Sequence, residues 1–85
     1  MDPQRLIHEL LSAAEKAGIQ VRELSPADAA VSSGLVIIRG QKVLFLHPGQ
    51  TAAEQAQAVA RALRGQDLDQ VYLSPGARDA IEGGA

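Results

Sequence analysis

Apolar residues fall along the chain in several distinct rhythms, and each rhythm implies an element. Leu6, Ile7, Leu10, Ala14 and Ala17 recur at helical spacing while Arg5, His8, Ser12, Glu15 and Lys16 fall on the other side, which predicts a helix over residues 3–17. Asp2 before Pro3 offers a cap acceptor and a first-turn residue that lacks an N–H, and Gly18 supplies the stop. The next stretch, IQVREL, alternates apolar and polar positions and suits a strand over residues 19–24 with one wet face. Ser25 and Pro26 then open a short helical turn or loop that runs to Ser33.

From Gly34 to Thr51 the rhythm changes again: GLVIIRGQKVLFLHPGQT is apolar on nearly every residue around a turn. Strands are expected at 35–39 and 42–47, with Gly40-Gln41 as a glycine-first two-residue loop. That loop pairs Arg39 with Lys42, Ile38 with Val43 and Ile37 with Leu44. One face then carries Val36, Ile38, Val43 and Phe45, and the other carries Leu35, Ile37, Leu44 and Leu46. Thr51 and Glu54 form a capping box ahead of a helix at 52–64, whose stripe is Ala52, Ala56, Val59, Ala60 and Leu63 and whose stop is Gly65. DQVYLS suits a short strand at 70–73, and Ser74-Pro75 starts a short helix at 75–82. The whole reads as one α+β domain over residues 1–85: a small mixed sheet around a central antiparallel hairpin, two main helices and a short C-terminal helix, with the helices mainly on one face.

Eighty-five residues are enough for one apolar core without a staple, and there is no cysteine to provide a disulfide or a thiolate ligand. The formal charge is −2 with acids and bases interspersed, and Phe45 and Tyr72 are the only aromatics. A basic field and stacking platforms are therefore both lacking, which argues against nucleic acid as a partner. No window approaches the roughly 20 apolar residues of a membrane span, and MDPQRL has neither the basic start nor the apolar centre of a secretory signal. A cytoplasmic protein without membrane contact is the expectation.

Candidate chemistry is sparse. HELLS, at residues 8–12, has the first half of a zinc-peptidase helix, but Ser12 stands where the second histidine would be. A solvated helix face accounts for it, and neither a metal site nor a cofactor is expected. Asp67, Asp69 and Asp79 lack the glycine-pivoted loop of a hard-cation site. The junction HPGQT joins a strand to a helix start, where free amides can hold an anion, so His47, Gln50 and Thr51 are the candidate binding residues. No catalytic residue is assigned, because no nucleophile is placed beside His47 by sequence.

The doubly apolar hairpin is the least ordinary feature. Its eight large apolar side chains would contribute about 1.5–3 kcal/mol each if buried, so either face left wet forfeits an amount comparable with the stability of a domain. Either the two long helices take opposite faces, or they share one face and a second subunit covers the other. On the second alternative, Leu35, Ile37, Leu44 and Leu46 are the candidate interface residues.

The order helix, strand, hairpin, polar linker, helix resembles the front half of the ImmA/IrrE-type zinc metallopeptidase domain over about residues 1–65. In that family the last-named helix carries HExxH. Laying VARALRG, residues 59–65, on it puts Arg61 and Gly65 at the histidine positions and Ala62 at the glutamate position. The resemblance thus implies a non-catalytic relative or a convergent scaffold, with no family site residue carried over. Small uncharacterised bacterial proteins with a glycine-led hairpin and a DLDxVYLSP-like segment are also similar, and that similarity implies no activity. The expected function is a non-catalytic module that binds a copy of itself or another protein. The alternative is a small ligand- or anion-binding protein or enzyme built on residues 47–51.

Overall fold

A computed structural model describes residues 2–25 and 34–83. Its elements are α1 (Pro3–Lys16), β1 (Gln20–Glu23), β2 (Gly34–Ile38), β3 (Gln41–Leu46), α2 (Ala52–Leu63) and α3 (Pro75–Glu82). Three helices with a three-stranded mixed sheet make an α+β fold. The turn or loop expected from Pro26 to Ser33 lies outside the described residues.

Local chemistry sets the helix ends. At the start of α1 the Asp2 side chain makes no cap bond; its carbonyl instead accepts the Leu6 N–H at 2.9 Å, and Pro3 removes one donor that would have needed a partner. At the other end Gly18 takes φ +84°, the Ile19 N–H reaches back to the Ala14 carbonyl at 2.9 Å, and the Gly18 N–H reaches Glu15 at 3.0 Å. This is the Schellman arrangement, and its apolar partner Ile19 is 2% exposed. The capping box of α2 is present as expected: Glu54 N–H donates to Thr51 Oγ1 at 3.2 Å and Thr51 N–H donates to Glu54 Oε1 at 2.9 Å. Ser74 caps α3 by accepting the Ala77 N–H at 3.2 Å, and its hydroxyl donates to the Glu9 carboxylate on α1.

In the hairpin the turn residues are Arg39 and Gly40, at φ 53° and 79°, so Ile38 pairs with Gln41, Ile37 with Lys42, Val36 with Val43 and Leu35 with Leu44. This corrects the expected Gly40-Gln41 loop. The turn with positive φ at both central residues places glycine second, and Arg39 accepts the left-handed position. Moving the turn by one residue moves each partner by two, so face membership is unchanged. β1 joins the other side of β3 in parallel, Val21 beside Leu44 and Glu23 beside Leu46, giving the order β1-β3-β2.

The helices share one face. Leu10, Leu44, Val59 and Leu63 are fully buried together, joined by Leu46, Ile7, Ala56 and Ala60, while Leu35 and Val21 pack at the margin. Val36, Ile38 and Phe45, on the opposite face, do not belong to this core. The expected strand at 70–73 is absent. Asp67 Oδ1 accepts the Asp69 N–H at 3.1 Å just ahead of the segment, and the Val71 N–H donates to the Leu68 carbonyl at 2.9 Å, so the chain enters it in turns and not extended. Val71 is nevertheless buried, pinning the segment by one side chain. No helix among the described residues is long and apolar enough to cross a membrane.

Candidate functional site

The junction after β3 brings its candidate residues into one short turn. Gln50 N–H donates to the His47 carbonyl at 3.3 Å, and Gln55 Nε2, from the first turn of α2, donates to the same oxygen at 3.2 Å. His47 and Gln50 are half-buried and Thr51 is exposed. Two of the amides at this helix start are engaged by the capping box: Glu54 Oε1 accepts the Thr51 N–H, and Thr51 Oγ1 accepts the Glu54 N–H. Both bonds from Thr51, the backbone one first and the hydroxyl one second, hold the Glu54 carboxyl below its ordinary value. A carboxylate therefore occupies the positive end of α2, where an incoming anion would meet its charge.

Other chemistry-bearing residues are spread out. His8 is exposed on α1, Glu9 is turned to Ser74, and Ser12 is half-buried beside them. Arg61 is exposed, Ala62 packs against the core, and Gly65 lies beyond α2 at φ +88°. Arg64 Nε donates to the Ile81 carbonyl at 2.9 Å, closing the end of α3. Among the described residues there is no cluster of three metal-ligating side chains, and no polar or charged side chain is buried. A cleft of about 420 Å³ opens between α1, α2 and α3 over Leu6, Ala56 and Ala60, with Arg61, Arg64 and Asp79 at its rim.

Strand β2 carries successive exposed apolar side chains, on alternate faces of the sheet. Val36, Ile37 and Ile38 are 42%, 69% and 44% exposed in succession along β2. Of the residues expected at an interface, Leu44 and Leu46 are inside the chain's own core, Leu35 packs against it, and Ile37 stands out. Sequence reasoning left out Val36 and Ile38, although it placed them correctly on the face opposite Leu35. The signal that could have named them is β1: Gln20 and Arg22 share their face, and a polar strand flank marks the side away from the helices. That signal becomes usable only once β1 is known to lie beside β3.

No protein-family model, curated protein or solved structure matches this chain.

Proposed function

We propose that this domain is a non-catalytic, cytoplasmic binding module that self-associates as a homodimer through the exposed strand β2. The observation that carries the reading is the unbroken run of exposed apolar side chains at Val36, Ile37 and Ile38. Leaving three such residues in water forfeits roughly 25 cal/mol for every Å² of apolar surface they expose. Runs of this kind on one element mark association surfaces, whereas single exposed leucines or valines do not.

The test is the mass of the particle in solution. Sedimentation equilibrium or light scattering from low micromolar to millimolar protein is expected to show reversible dimerisation, and Val36→Lys to weaken it by tenfold or more while leaving the helical dichroism intact. A strict monomer over the whole range would remove the proposal.

A further inference from the structure

The backbone of β2 faces two ways, and one way is already taken. The Leu24 N–H donates to the Leu46 carbonyl at 2.8 Å, so the even-numbered residues of β3 turn their backbone groups toward β1. The odd-numbered ones, Gln41, Val43 and Phe45, turn theirs toward β2, where they meet Ile38, Val36 and Gly34. Alternation then points the N–H and C=O groups of Leu35 and Ile37 away from the sheet. Among the described residues β2 has β3 as its one strand neighbour, and no side chain or turn bonds those outward groups.

Resting on the self-association proposed above, we infer that a second copy of this chain adds its own β2 antiparallel to this edge, about a two-fold axis at Val36. The two edges of the sheet differ in the way this requires. β1 carries Gln20, Arg22 and Glu23, the charged composition that blunts an edge, while β2 reads GLVII without a charge, a proline or a bulge. The sequence of β2 also fits its own reverse. A two-fold axis at Val36 sets Leu35 against Ile37 of the partner subunit, and Ile37 against Leu35 of the partner subunit. All the outward backbone groups of these residues are then paired, and the Val36 side chains meet across the axis.

Charge selects the direction. Arg39 and Lys42 lie at the turn end of the hairpin. Parallel addition would set the two Arg39 residues side by side, whereas the antiparallel register keeps them about 20 Å apart, at roughly 3.4 Å per residue. Exposure favours the edge over the face. Val43 is 3% exposed and Phe45 half-buried, so stacking two outer faces would bury little beyond Val36 and Ile38. Edge addition gains the backbone hydrogen bonds as well and also covers Ile37, which a face-to-face stack leaves wet.

The test is amide hydrogen exchange of the full chain, read residue by residue by NMR in dilute and concentrated samples whose masses are measured in parallel. Exchange at Leu35 and Ile37 is expected to slow tenfold or more as the dimer forms, while Val36 and Ile38, already bonded to β3, change little. Ile37→Pro removes one outward donor without touching the hairpin ladder and is expected to leave a folded monomer; Ile37→Ala keeps the donor and still dimerises, more weakly. If the proline variant fails to fold, exchange in the unaltered chain still decides. A dimer in which Leu35 and Ile37 exchange freely would overturn edge pairing while leaving self-association standing. A monomer at every concentration would overturn both. Protection of these amides only when an extended foreign peptide is added would likewise overturn pairing between copies.

Discussion

Arg39 holds a φ of 53°, a left-handed backbone that costs a residue with a β-carbon on the order of 1 kcal/mol, while Gly40 beside it takes 79° without that cost. Asparagine tolerates the first position of this turn better than arginine. Arg39→Asn is therefore expected to raise stability by about 0.5 kcal/mol, read as a higher urea midpoint at unchanged slope. Gly18 is the converse case. A β-carbon there would meet nothing within 4 Å, so Gly18→Ala suffers only from its φ of +84° and should cost about 1 kcal/mol by the same measurement. Glu54 gives the chain a pH response at the capping box. Its carboxyl is lowered by Thr51 from the ordinary value of 4.5, so the folded state binds that proton less readily than the unfolded one. The resulting stabilisation is fully present above about pH 4.5 and is lost as pH falls through the lowered folded value. Glu54→Gln should flatten the loss of stability with acidification in that window; an unchanged pH profile would show that the box is not the source.

Among elements, the most informative contrast lies within β3. Leu44 is fully buried beneath the helices, while its neighbour Lys42, on the same face, reaches past the end of α2 to donate to Gln66 Oε1 at 2.7 Å. Leu44→Ala is expected to cost about 2–5 kcal/mol in urea unfolding, because it removes a core side chain that the central strand cannot shift to replace. Lys42→Ala, an exposed pair, should fall within about 0.5 kcal/mol of the parent. Elements with side-chain caps were legible in the sequence to within a residue. The capping box and Ser74 mark the starts of α2 and α3 through bonds spanning three residues, which a linear reading can see. The hairpin register was not legible, since it depends on Arg39 accepting a backbone shape that its residue type does not signal. Nor was the missing strand at 70–73, where turns closed at Asp69 and Val71 bend the chain. The sidedness of the sheet follows from β1 lying parallel to β3, a contact between distant segments that no local pattern encodes.

At the scale of the whole molecule, the helices close one side of the sheet and leave β2 as an uncharged edge of a chain whose formal charge is −2. The doubly apolar hairpin was visible in the sequence, but which face the helices cover was not, because both faces carry equally large residues and only the strand order distinguishes them. This architecture makes a prediction about ionic strength. An interface built from Leu35, Val36 and Ile37 and their backbone groups contains no ion pair to screen. Like-charged copies with a small net charge repel only weakly beyond a Debye length of about 10 Å at 0.1 M salt, so raising salt from about 0.05 to 0.5 M should leave dimerisation unchanged or slightly stronger. Association through Arg61 and Arg64 at the cleft rim would instead weaken over that range, as charged contacts do. Dimer dissociation constants from sedimentation at both salt concentrations separate the two: a rise of tenfold or more in high salt would move the interface from the sheet edge to the helices, whereas a flat or falling value keeps it on β2.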